Sequence, residues 1–264
     1  MSIFKTNNVN IRGKGTSTMM FAHGFGCDQN MWRFITKAFE ETHQLILFDH
    51  VGAGQSDLNA YDPVKYQDIN GYVEDIINIA NTLELKEVIF VGHSVSAMMG
   101  IMAAEKEPTL FKSLILVSPS PSYINDRDYI GGFSRMEIEE LLQSLDENHL
   151  GWSMTMAPLI MANSDRAELG EELTNSFCST DPTIARQFAR VTFLTDSRAL
   201  LPQCKTPSLI LQCSDDIIAP VEVGQYMHEQ MDNSHLVILE ATGHCPHMSA
   251  PKETTAAILN FLNN

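Results

Sequence analysis

The sequence predicts an α/β fold in which a mostly parallel central sheet is covered by helices. Three observations carry that expectation. Short apolar runs rich in β-formers recur along the chain, and segments with helical periodicity lie between most of them. One interval between two such runs is far longer than a crossover needs. At 264 residues, with 44% hydrophobic and 19% charged residues, the chain suits one core carrying an insertion, since a single α/β domain reaches about 250 residues.

The runs appear in the order "TMMFA" (18–22), "QLILFD" (44–49), "EVIFV" (87–91), "SLILVS" (113–118), "SLILQC" (208–213) and "HLVILE" (235–240). Strands buried on both faces require this near-continuous apolar character. The long interval predicts a lid over residues 119–202, with the core formed by 1–118 and 203–264. Four lid helices are expected. Ile138, Leu141, Leu142 and Leu145 share one helical face, as do Trp152, Met156, Leu159 and Ile160, and then Leu169, Leu173 and Phe177. Asp181 followed by Pro182 supplies a side-chain acceptor at N-cap and proline at N1, and Ile184, Phe188 and Val191 continue that helix. Between Pro119 and Pro202 thirteen acidic residues face six basic ones, so an acidic outer and an apolar inner lid face are expected.

Seventeen basic against thirty-three acidic residues give a net charge of −16. Such a surface repels phosphate backbones and anionic headgroups, so neither nucleic acid nor a membrane is an expected partner. The first residues, "MSIFKTNNVNIRGKG", lack the apolar core of a signal peptide, and no apolar run reaches the roughly 18 residues that span a bilayer, so a cytoplasmic location is expected. Cys27, Cys178, Cys204, Cys213 and Cys245 are odd in number and scattered, which suits free thiols.

The stretch "FVGHSVSAMMG" (90–100) follows one of the strands and opens a helical run, the context in which a sharp turn lifts a serine hydroxyl above the sheet edge. Ser94 is the candidate nucleophile. The residues two before and two after it approach closely in such a turn, and here they are Gly92 and Ser96, both small. A serine needs a base, an acid to orient it, and donors for the oxyanion. Chain order places the acid after a later strand, where "SDDIIAP" offers Asp215 and Asp216, and the base near the C-terminus, where "ATGHCPHMS" offers His244 and His247. His244 follows Gly243 just beyond its strand and can reach back over the sheet edge, so it is the expected base. His244, Cys245 and His247 lack partner ligands at metal-site spacing, and no metal is expected. "FAHGFG" follows the first strand, making the backbone N–H groups of Phe25 and Val95 the expected oxyanion donors, with His23 a local hydrogen-bonding residue. "FDHVGAGQSD" lacks the third glycine of a dinucleotide fingerprint, so no cofactor is expected, and Asp49 is read as bracing a tight loop.

Together "HGFG", "DHVGAGQSD", "GHSVSAM", "DDIIAP" and "GHCPH" resemble the α/β-hydrolase fold, and within it the RsbQ-like subgroup, which includes a positive regulator of the bacterial sigma-B stress response and the plant receptors for karrikins and strigolactones. The resemblance spans essentially the whole chain. Serine at 96 is usual in that subgroup, and "SPSPSYIND", "FCSTDPTIARQFA" and "LILQCSDDIIAP" are nearer the bacterial regulator than the plant receptors. It implies a triad of Ser94, Asp216 and His244, which decides for Asp216 over Asp215. It also implies oxyanion donors at Phe25 and Val95 and pocket walls from Tyr123, Phe133, Trp152, Phe193 and Ile217. A small hydrophobic ester- or lactone-like substrate or ligand is implied, in stress signalling whose bacterial partner is a PP2C-type phosphatase bearing a PAS domain. A metabolic esterase, lactonase or carbon–carbon bond hydrolase fits the same triad, and a non-catalytic binding protein would keep the pocket alone.

Overall fold

In a computed structural model, which describes residues 2–263, each apolar run becomes a strand, and the central ones are buried between helical layers. A short helix α1 (Ile3–Thr6) leads into strand β1 (Asn10–Arg12), then β2 (Ser17–Ala22), helix α2 (Arg33–Thr36) and β3 (His43–Leu47). Helix α3 (Ile69–Thr82), strand β4 (Val88–His93), helix α4 (Val95–Lys106) and strand β5 (Phe111–Val117) follow. Strand β6 (Ser208–Asp215), helix α9 (Val221–Gln230), strand β7 (Ser234–Thr242) and helices α10 (Pro246–Ser249) and α11 (Pro251–Leu262) close the chain. The strand order is β1-β3-β2-β4-β5-β6-β7, and every pairing is parallel except β1 with β3. Residues of β4 and β5 are almost wholly buried, as a central parallel strand demands.

Two strands depart from the expectation. The three-residue β1 has no counterpart among the apolar runs, because Asn10 and Arg12 give it no hydrophobic signal. Strand β7 lies at the sheet edge and leaves Ile238 37% exposed, so its apolar run does not report burial on both faces.

Four helices lie between β5 and β6: α5 (Arg135–Glu147), α6 (His149–Met161), α7 (Ala167–Ser179) and α8 (Pro182–Leu194). Ser134 and Glu137 form a reciprocal capping box at the start of α5. Asp181 accepts from the N–H groups of Thr183 and Ile184 at 2.8 and 3.2 Å, with Pro182 at the first helical position of α8. The stripes Ile138–Leu142–Leu145 and Leu169–Leu173–Phe177 face inward and are buried. Leu159 does not join its neighbours: it is half exposed, while Trp152 and Ile160 on the same helix are buried. Arg190 pairs outward with Asp146, and Arg33 of the core grips Glu172 of α7 through two bonds of 2.6 Å.

Candidate active site

Only Ser94 separates β4 from α4, and the chain turns sharply there. Its backbone sits at φ 57°, ψ −125°, a conformation that costs a residue with a Cβ about 1–3 kcal/mol. The N–H of Ser94 donates to the carbonyl of Val117 at 2.9 Å, tying the turn to the neighbouring strand. A Cβ at Gly92 would come within 2.6 Å of the backbone oxygen of Ser96. The main chain of residue 96 therefore faces Gly92, and its hydroxyl points elsewhere, donating to the carbonyl of His23 at 2.5 Å.

The Ser94 hydroxyl lies 2.8 Å from Nε2 of His244, and Nδ1 of His244 lies 2.7 Å from Oδ2 of Asp216. The second oxygen of Asp216 accepts from the N–H of Ile218 at 2.8 Å. A carboxylate on Nδ1–H leaves Nε2 as an acceptor, so this row of groups can take the hydroxyl proton from Ser94 and later return it. All three residues are buried, whereas the Asp215 side chain is exposed and its carbonyl accepts from the N–H of Gly243 at 2.7 Å. The His244 loop is held on both sides. Its N–H donates to the carbonyl of Ile160, and its own carbonyl accepts from Nε2 of His93 at 2.8 Å.

His247 is elsewhere, with its ring 4.5 Å from Trp32 and 4.7 Å from His93. Neither of its ring nitrogens has a hydrogen-bond partner among the described residues, and burial pushes its pKa down to about 3, keeping it neutral.

The N–H groups of Phe25 and Val95 donate to no other backbone group among the described residues; Val95 opens α4 and so lacks an intrahelical acceptor. A Cβ at Gly24 would lie 3.2 Å from that of Ser94, which shows how closely the loop carrying Phe25 passes the hydroxyl. The glycine-bearing loop after β3 is braced by Asp49, whose oxygens accept from the N–H groups of Gln29 and Gln55 at 2.9 Å and from the Asn8 amide at 2.7 Å.

A cavity of about 30 Å³, room for roughly two waters, opens onto Ser94 and His244. Phe25, Tyr123, Ile160, Phe177, Phe193 and Ile218 are among the residues of its wall. The Tyr123 hydroxyl is 3.0 Å from that of Ser94. Ser94 donates to His244, so the phenol is the donor in this contact. Thr192 also faces the cavity, buried, with its hydroxyl lacking a partner among the described residues.

Three of the five expected walls do not line this cavity. Ile217 is 48% exposed and lines an outer groove, and its neighbour Ile218 takes the place on the cavity wall. Phe133 is half-buried beside the core, and it acts through its N–H, which donates to the carbonyl of Tyr123 at 3.1 Å. Trp152 stands one layer back, stacked on Phe177 at 5.8 Å and edge-on to Phe25 at 6.1 Å. Phe177 was legible as part of an apolar helical face. His50, which contacts Ser96 and His23, carried no signal beyond its place beside Asp49.

Fold and site together define an α/β-hydrolase. The chain belongs to the alpha/beta hydrolase family, whose model matches residues 19–258. A hydrolase from Oleispira antarctica superposes with a TM-score of 0.97 at 43% identity, covering 100% of this chain and 97% of that one. The karrikin insensitive 2 receptor CA of Petunia hybrida is 33% identical over 98% of this chain and 97% of its own length. The strigolactone esterase D14 of Arabidopsis thaliana is 34% identical over 96% of this chain and 94% of its own. Among the described residues no helix is long and apolar enough to cross a membrane.

Proposed function

We propose that this protein is a cytoplasmic serine hydrolase of the RsbQ-like subgroup that binds and cleaves a small, mostly apolar ester or lactone in a stress-signalling pathway. The observation that carries the hydrolytic reading is the continuous row Ser94–His244–Asp216, with contacts of 2.8 and 2.7 Å, buried beside an apolar cavity. His244 takes the Ser94 proton as the hydroxyl oxygen attacks the carbonyl, and Asp216 holds the imidazole and balances the charge it gains. The N–H groups of Phe25 and Val95 receive the oxyanion. His244 then protonates the leaving oxygen, and a water activated by the same imidazole releases the acid from Ser94. The Thr192 hydroxyl, without a partner among the described residues, offers the ligand a polar contact in a mostly apolar wall, which suits an ester or lactone better than a hydrocarbon.

Signalling, with a PP2C-type phosphatase bearing a PAS domain as the partner, is supported by the motif resemblance and by relatives named as receptors as well as esterases. Intact mass after treatment with a fluorophosphonate should show one adduct, mapped to Ser94; its absence from folded protein would leave only a binding role. In the native host, Ser94→Ala should abolish ester turnover and stress-regulon output together. Turnover without any regulon output in the unmodified strain would make the protein a metabolic esterase or lactonase.

A further inference from the structure

Ser96, His50 and His23 form a buried polar chain that the hydrolytic steps do not use. Burial, the largest influence, depresses the pKa of both histidines, so both are neutral. The N–H of His50 donates to Nε2 of His23 at 3.1 Å, which makes Nε2 the acceptor and leaves the proton on Nδ1. That Nδ1–H donates to the carbonyl of Gly24 at 2.9 Å. Nε2 of His50 lies 2.8 Å from the Ser96 hydroxyl and 3.1 Å from the carbonyl of His23. Since Ser96 donates to that carbonyl, its oxygen accepts from His50 Nε2–H. Every proton in the chain then has one consistent position.

The carbonyl of Gly24 and the N–H of Phe25 belong to the same peptide unit. No described peptide bond is cis, so the two point in opposite directions. The carbonyl is fixed by His23 Nδ1–H and, at 3.3 Å, by the N–H of Cys27. Fixing it fixes the direction of the Phe25 N–H. Donation to the carbonyl also polarises the peptide and strengthens its N–H as a donor.

We propose that His23 is a positioning residue for the oxyanion site: it orients the Gly24–Phe25 peptide, the backbone N–H of His50 holds its ring in the one tautomer that can do so, and the Ser96 hydroxyl and the His50 ring anchor its main-chain carbonyl. Serine at 96 is thereby assigned a task in the reaction. Its hydroxyl joins the helix behind the nucleophile to the loop carrying the other oxyanion donor. Glycine at 96 would leave the His23 carbonyl and His50 without their shared partner.

The inference rests on Ser94 being the nucleophile, and the test separates the two. Burst kinetics with p-nitrophenyl acetate give the acylation rate constant and the half-saturating concentration, and phenylboronic acid serves as the tetrahedral probe. Ser96→Ala should slow acylation roughly 10-fold and His23→Leu roughly 100-fold, with half-saturation within about twofold and boronate affinity falling in parallel. His23→Asn, whose side-chain amide can donate to Gly24, should recover most of the loss. Equal damage from His23→Asn and His23→Leu, or slowed acylation with unchanged boronate affinity, would overturn the positioning role. If His23→Leu does not fold, Ser96→Ala and His23→Asn decide the matter. Absence of any Ser94 adduct in the unmodified protein would overturn the hydrolase reading, and this inference with it.

Discussion

The backbone N–H of His244 donates to the carbonyl of Ile160 at 2.9 Å, so the last turn of helix α6, one of the four between β5 and β6, is bonded directly to the loop that carries the proposed base. Asn163 reinforces the joint: its amide donates to the carbonyls of Met161 and Thr242 at 2.5 and 2.9 Å. Asn163→Ala removes both bonds, each worth about 1 kcal/mol. Turnover should fall roughly fivefold or more with little change in far-UV circular dichroism, and an unchanged kcat would show that the joint has no bearing on His244.

Gly243 makes that joint possible. Its φ is 87°, and a Cβ there would meet the carbonyl oxygen of Met161 at 2.1 Å. Gly243→Ala should destabilise the protein by about 2–4 kcal/mol in urea titration, since both strain and collision oppose it. A loss under about 0.5 kcal/mol would contradict the close approach.

Ser94 is held in a backbone conformation that glycine adopts freely. Ser94→Gly should abolish ester turnover yet unfold at a higher temperature than Ser94→Ala, the difference corresponding to about 1 kcal/mol. Equal melting temperatures would mean that the turn stores no strain.

Tyr123 donates to a lone pair of the Ser94 hydroxyl, the proposed nucleophile. Removing the phenol in Tyr123→Phe should raise the rate of fluorophosphonate labelling at Ser94 up to about fivefold, the equivalent of one neutral hydrogen bond. A slower reaction would show instead that the phenol assists the attack.

Burial depresses the pKa values of His23, His50, His93 and His247, the last to about 3. The unfolded chain takes up these protons near pH 6.5 while the folded chain refuses them, so stability is complete above that pH and declines as pH falls below it. Each such histidine contributes a slope of up to about 1.4 kcal/mol per pH unit. The urea midpoint should drop between pH 7 and pH 5, and His247→Phe should flatten part of the drop. A midpoint constant over that range would sink the account.

Much of this was legible in the primary structure. The six apolar runs map onto six strands, five of them because burial between helices leaves a continuous apolar signature and β7 despite a half-exposed edge, and β1 escaped because three partly exposed residues carry none. Ser94, Asp216 and His244 could be placed by chain order and resemblance, since strand ends are fixed points on the sheet edge. The walls were harder to read. Ile217 and Ile218 are chemically identical neighbours, and only the course of the loop decides which faces inward. Ser96 could be seen to fit beside Gly92, but the partners of its hydroxyl, His23 and His50, come from strand ends far away in sequence.

The cavity at Ser94 measures about 30 Å³, whereas sites for drug-sized molecules run to several hundred. Its walls are interlocked rings, Phe25 lying within 5.6 Å of Phe177 and 6.1 Å of Phe193. A ligand larger than a few atoms needs more room than these rings leave, so its binding is expected to displace them. Association should therefore saturate as ligand concentration rises, reaching a ceiling set by how often the protein opens.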